Sequence, residues 1–197
     1  MNMLYKNRFS QLTFIILAGL FLMFGATTGL AQGGGNKELI RLQVHINGIP
    51  GDGVGGIIDA FGSDQLVTNS VSSGSGGGGG AGKAEFGPIV ITKMVDRATP
   101  KLFVACATGV HITQAQIDWV RSNSKNGNDE VFFSVLLQDV TISAVRSGLP
   151  NQNDPNLKQL GPVEQISLSF GKIQWTFFLP DGTPVKGGFD VNANQTF

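Results

Sequence analysis

The sequence predicts a mostly β domain, a barrel of two sheets with one flanking α-helix and one long glycine-rich extended loop. Three observations carry that reading. Apolar residues recur with a period of two in several segments between Leu39 and Asp190. Only one stretch, Asp96 to Gly109, has both a helix start and a helix stop. The last long strand segment reverses phase at Gly171: Ile166, Leu168 and Phe170 lie on even positions, Ile173, Trp175 and Phe177 on odd ones. A strand that switches its inward face through a bulge suits a closed barrel or a pair of orthogonal sheets, where it turns a corner.

The elements follow in order. Residues 1–31 read as an export signal: Lys6 and Arg8 form a basic start, Leu12 to Phe24 is almost wholly apolar, and Gly29-Leu30-Ala31 offers a cleavage site before Gln32. The apolar run is shorter than the roughly 20 residues that span a bilayer, so no stable membrane anchor is expected once it is cut. Residues 32–38 form a flexible linker, and 39–197 the barrel domain. Leu39 to Ile46 alternates with Ile40, Leu42, Val44 and Ile46 on one side and Arg41, Gln43 and His45 on the other, a half-buried strand. From Asn47 to Gly82 the chain is rich in Gly, Ser, Asp and Asn, with one apolar island at Ile57, Ile58 and Phe61. It reads as an extended loop, of a length that is functional or disordered inside a compact domain.

Glu85 to Val95 resumes strand character, and Pro88 within it predicts an edge or a bulge. Thr99 is expected to be the N-cap and Pro100 the first residue of the helix, with Gly109 the left-handed residue that closes it. Ile112 to Arg121 is a strand, with Ala115, Ile117 and Trp119 on one face and Gln114, Gln116 and Asp118 on the other. A turn at Ser122 to Asn128 leads to a longer strand, Glu130 to Val145. Asp181-Gly182 makes a turn and Val185 to Asp190 a final short strand. The sum is about five strands and one helix.

Composition excludes several classes. Of 14 Lys and Arg and 14 Asp and Glu in 197 residues, the leader holds Lys6, Arg8 and no acid, leaving 12 bases against 14 acids, a formal charge of −2. No basic stripe is present to displace phosphate counterions, so no nucleic acid is expected. The single cysteine, Cys106, allows no intrachain disulfide. Stability must come from packing or assembly.

No chemical motif survives inspection. Gly77, four residues, Gly82 and Lys83 approach a phosphate-binding loop, but Ala84 stands where a metal-holding Ser or Thr is needed, and a strand follows where a helix should. His45 and His111 have no second ligand at metal spacing. Cys106 shares a helix face with Leu102 and lacks basic neighbours, so it reads as a small buried hydrophobe. Asp52, Asp59 and Asp64 lack the alternating pattern of a calcium loop. No metal, cofactor or catalytic residue is expected, and no enzyme.

The loop-helix unit is similar to the haemolysin-coregulated protein (Hcp) family, the inner-tube subunits of type VI secretion systems. The residues that carry the likeness are Gly76, Gly77, Gly78, Gly79, Gly80, Ala81, Gly82 and Lys83, then Thr92-Lys93, Asp96 and Ala98-Thr99-Pro100-Lys101-Leu102. Ala105-Cys106-Ala107, Gly109, His111, Leu137 to Ser143, Val163 to Ile173, and the tail Gly182, Pro184, Val185, Lys186, Gly188-Phe189-Asp190 and Asn194 continue it. The resemblance runs from about Leu39 to the C-terminus. It implies a two-sheet barrel that assembles into homo-hexameric rings, stacked into a tube whose lumen can carry small effector proteins. The contacts implied are made by the loop, with Gly76, Gly77, Gly78, Gly79, Gly80, Gly82 and Lys83, and by the tail, with Pro184, Val185 and Lys186. Two departures stand out: an export signal, which the family's cytoplasmic tubes do not need, and Phe61 in place of an expected tryptophan. The alternative is a secreted monomeric effector or binding module that kept the barrel and lost the assembly.

Overall fold

The structure is a computed structural model that describes residues 40–69, 83–122, 129–154 and 161–197. The leader and linker, the run Ser70 to Gly82 and two shorter segments lie outside the described residues. Eleven strands and one helix occur among those described: β1 Ile40–Ile46, β2 Ile58–Asp64, β3 Val67–Asn69, β4 Ala84–Phe86, β5 Ile89–Met94, α1 Thr99–Thr108, β6 Ile112–Ser122, β7 Asp129–Gly148, β8 Val163–Ser169, β9 Lys172–Phe178, β10 Pro184–Asp190 and β11 Gln195–Thr196. All neighbours in the main sheet are antiparallel, in the order β11-β10-β9-β7-β6-β1-β2-β5-β8, and a further β7–β8 pairing closes six of them into a barrel. β3 and β4 form a separate two-stranded ribbon.

The alternation in β1 sets the pattern. Leu42, Val44 and Ile46 are buried, whereas Ile40 at the strand start is exposed. Opposite them, β6 buries Ala115 and Ile117 in register with Ile46 and Val44. Ile58, Ile89, Ile91, Val135, Leu137, Ile142, Ile166 and Leu168 complete one continuous core, whose apolar burial is the main stabilising term. Leu102 and Ala105 of α1 join it, and α1 packs against β7.

Three expectations need correction. The stretch 47–82 is not a loop throughout. A 3-10 turn at Val54–Gly56 leads into β2, which lies between β1 and β5 as a full barrel strand, and then into β3. β2 buries only Ile58 and Ala60, so its periodicity is too brief to stand out against its polar outer residues. The count of about five strands was low for the same reason. Thr99 is the first helical residue and not the cap: Ala98 holds the cap position, Asp96 Oδ1 accepts the Ala98 N–H at 2.9 Å, and Pro100 follows within the first turn. Gly109 closes the helix as expected, at φ 62°, a conformation that favours glycine. Pro88, with Gly87, separates β4 from β5.

β7 is the spine. Its first half, Phe133 to Gln138, pairs with β9 and its second, Thr141 to Gly148, with β8. β8 and β9 are therefore one segment bent at Phe170-Gly171, where the phase of the alternation flips. The Gly171 N–H donates to the carbonyls of Gln138 and Asp139, and Asp139 itself sits at φ 55°. A Cβ on Gly171 would lie 2.7 Å from Asn192 Nδ2 and 3.0 Å from Asp139 Cβ. Gly171→Ala is expected to lower stability by about 1–3 kcal/mol, by overpacking. A chemical-denaturation midpoint unchanged from the parent would refute the tight approach.

Candidate assembly surface

Bending at Gly171 carries β9, β10 and β11 out of the closed barrel. β9 continues from β7, β10 pairs with β9 over its whole length, and β11 covers only Phe189 and Asp190. The Phe197 N–H reaches the Gly188 carbonyl at 3.3 Å. Pro184 to Gly187 thus has no strand partner beyond β9 among the described residues. An unpaired stretch of backbone at a sheet edge is a template for another strand.

One cross-strand row leads to that edge. Ala60, Leu42, Trp119, Phe133, Phe177 and Val185 are successive register partners on β2, β1, β6, β7, β9 and β10. At the barrel end Leu42 is buried, and Trp119 and Phe133 meet at a tilt of 58° with centroids 4.9 Å apart. At the far end Phe177 is 46% and Val185 56% exposed. Phe177 therefore does not face the core, as its phase with Ile173 suggested. Thr176, on the other face of β9 beside Ser134, is buried; β9 lies outside the closed barrel, so an inward phase does not ensure cover.

The root of the glycine-rich segment meets the same sheet. Phe86 of β4 lies against Phe189 of β10 (5.1 Å between centroids), Trp175 of β9 (6.4 Å, stacked) and Phe170 (6.1 Å, edge-on). The Trp175 indole N–H donates to Gln65 Oε1 at 3.1 Å, tying down the approach to β3. Such aromatic contacts add about 0.5–1.5 kcal/mol each beyond area burial. Lys83, exposed, stands immediately before β4. Gly76, Gly77, Gly78, Gly79, Gly80 and Gly82 lie outside the described residues. Pro184, Val185 and Lys186 are exposed on β10. The structure so brings the foot of the loop and the tail sheet together, through Phe86 and Phe189.

The tail is closed by a charged turn. Asp190 accepts the Ala193 N–H at 2.8 Å and pairs with Lys172 at 3.0 Å. The Ala193 N–H first, then Lys172, hold its carboxyl below the ordinary carboxylate value. A depressed folded value means the contribution is present above the unfolded pKa and is lost as pH falls through the folded one. Protection of the β10–β11 turn, taken relative to the intrinsic amide-exchange rate at each pH, is expected to fall as the pH drops below the ordinary carboxylate range, and in Asp190→Asn it should already be low at neutral pH. Protection equally high in both proteins at every pH would refute this.

A second polar feature escaped sequence reading. Lys93 is fully buried, and its ammonium donates to Glu164 Oε1 (2.7 Å), Asp96 Oδ1 (2.7 Å) and the Met94 carbonyl (2.8 Å). The Thr99 hydroxyl donates to Glu164 Oε1 at 3.0 Å and accepts the Asp96 N–H at 3.1 Å. Lys93 and Glu164 are register partners on β5 and β8. The signal was available: Lys93 continues the inward series Ile89, Ile91, and Glu164 the series Ile166, Leu168. A charge in an inward phase on two strands points to a buried pair.

Among the described residues the other ionisable residues form only separate surface pairs, such as Arg121 with Glu130 at 3.3 Å. His45 is exposed on β1, and His111 Nε2 lies 3.3 Å from Asp139 Oδ1. Cys106 is half-buried against the core. Asp52 approaches Arg97 at 3.6 Å. Among the described residues no three His, Cys, Asp or Glu side chains converge on a metal-sized site, and no helix is long and apolar enough to cross a membrane.

Residues 46–177 match the family described as "Type VI secretion system effector, Hcp". The chain is 28% identical over 120 residues to the "Major exported protein" of Pseudomonas aeruginosa strain PAO1, covering 61% of this chain and 67% of that one. It is 29% identical over 118 residues to "Protein hcp1" of the same strain, covering 57% and 68%. In fold it is similar to a solved type six secretion system protein, with a TM-score of 0.68 at 17% identity, over 81% of this chain and all of that one. Hcp1 from Salmonella typhimurium gives 0.62 at 20% identity, over 80% and 99%.

Proposed function

Because the chain belongs to the Hcp family of type VI secretion proteins, we propose that it is a structural subunit that closes into six-membered rings and stacks them into a tube. The observation that carries this is the β10 edge: Pro184 to Gly187 without a further strand partner among the described residues, beside the exposed pair Phe177 and Val185. Ring closure needs a heterologous contact, in which one edge of a subunit meets a different surface of the next. Backbone pairing supplies the affinity in such strand addition, and alternate side chains the specificity. Pro184, Val185 and Lys186 make that contact, and Lys83 with Gly76, Gly77, Gly78, Gly79, Gly80 and Gly82 reaches the neighbouring subunit or ring. Small effector proteins occupy the central hole. Cleavage after Ala31 releases the barrel outside the cytoplasm without a membrane anchor.

Electron microscopy and light scattering of the purified protein test the assembly. Rings with a central hole are expected, and a single barrel at every concentration would favour a secreted monomeric binding module. Removing residues 74–82 should abolish rings while the thermal transition of the barrel persists; rings that survive would remove the loop from the interface. N-terminal sequencing of the exported protein is expected to begin at Gln32. A chain that keeps Met1 in the cytoplasm would overturn the export step.

A further inference from the structure

On the outer face of the barrel, β1 and β6 set four polar side chains opposite one another in two register pairs, Gln43 with Asp118 and His45 with Gln116. They line a cleft of about 270 Å³, whose other wall is the 3-10 turn and its exit, with Val54 and Ile57. The geometry points to a binding site for a single neutral sugar ring in this cleft.

Four features support that class of ligand. First, the carboxylate is fixed in place: Gln116 Nε2 donates to both oxygens of Asp118 at 3.0 Å, and Ser134 Oγ donates to Oδ1 at 2.5 Å. A carboxylate has about four acceptor positions, so Asp118 keeps capacity for a ligand hydroxyl. Second, the amide of Gln43 and the ring of His45 have no hydrogen-bond partner among the described residues. They offer both donors and acceptors at fixed strand spacing, the mixture that adjacent hydroxyls require. Third, Val54 is 93% exposed at the rim, an aliphatic surface suited to the C–H face of a ring. Fourth, the volume lies just under the roughly 300 Å³ at which drug-sized pockets begin, which admits one ring and little more.

Other ligands fit less well. An anion would meet Asp118, with Asp59 in register beyond Gln43. An extended peptide lacks an open edge, since β1 lies between β2 and β6, and β6 between β1 and β7. The inference does not depend on ring assembly, because every residue in it belongs to one chain.

Calorimetric titration of the full chain with glucose and with N-acetylglucosamine tests it, with the trialanine peptide as the competing probe. Saturable binding of at least one sugar, one site per chain, is expected. Gln43→Ala should weaken it about tenfold, the loss of a hydrogen bond or two, while Ser143→Ala on the remote, exposed part of β7 leaves it unchanged. A thermal melt of each variant separates lost binding from lost folding. The inference fails if neither sugar gives saturable heat up to about 50 mM, weaker than which no specific site is claimed. It fails equally if Gln43→Ala and Asp118→Asn both bind as the parent does, or if trialanine alone binds.

Discussion

Replacing Lys93 with methionine is expected to lower the unfolding free energy by about 3–5 kcal/mol, the range for breaking a buried ion pair from one side. The lysine is fully buried, Glu164 nearly so, and all three ammonium donors are used. Methionine fills much of the volume but leaves two carboxylates facing each other without their cation. Glu164 is already poorly served, since its Oε2 has no hydrogen-bond partner among the described residues. Glu164→Gln should cost less, about 1–3 kcal/mol, because an amide oxygen can still accept from Lys93 and Thr99. Urea or guanidinium titration measures both, and a Lys93→Met loss under about 1 kcal/mol would show that the cluster is not a clasp that ties β5, β8 and the start of α1 together. The clasp also predicts where the damage goes. Asp96 holds the Ala98 N–H and Thr99 belongs to α1, so hydrogen exchange should quicken first in the opening turn of that helix, before the barrel strands loosen.

That clasp marks the boundary between what the sequence discloses and what it hides. β1 and β6 were legible because each alternates over a long run with one face buried; the helix end and the β8–β9 bend were legible through Gly109, at φ 62°, and Gly171, which meets Asn192 and Asp139 too closely for a Cβ. β2 was not legible. It contributes two buried side chains, and its remaining residues resemble a loop because solvent lies on their side. Lys93 and Glu164 lay in full view as inward-phase charges, yet a strand pattern alone cannot say that the two strands are adjacent. Only the β5–β8 register makes them partners. Phe177 failed for a related reason: alternation assigns a face, but whether that face is covered depends on where the strand leaves the barrel. Of the surface proposed for assembly, the Asp181-Gly182 turn pointed to a short strand from Val185, while Pro184, Val185 and Lys186 as contacts came only from the family likeness; the structure shows all three exposed on β10. The glycines Gly76 to Gly80 and Gly82 carry no periodicity from which a contact could be read.

Val185→Asp is expected to abolish ring formation while changing barrel stability by less than about 0.5 kcal/mol, as for an exposed site away from special features. The side chain is 56% exposed and projects from the edge strand beside Phe177, so a carboxylate there is solvated in the isolated subunit. In a ring the same carboxylate would be taken from water into contact with an apolar neighbour, without a counter-charge on its own row. Inward-pointing and edge charges are how β proteins block strand addition. The expected readout is a shift from rings to monomers in light scattering, with the thermal transition of the monomer retained. Lys186→Ala on the opposite face of β10 serves as the contrast, and it should weaken assembly less, because a solvated rim charge contributes little affinity. Rings that form unchanged with Val185→Asp would mean that the β10 edge is not the contact. The exposed pair Phe177 and Val185 would then have to be explained by some other cover.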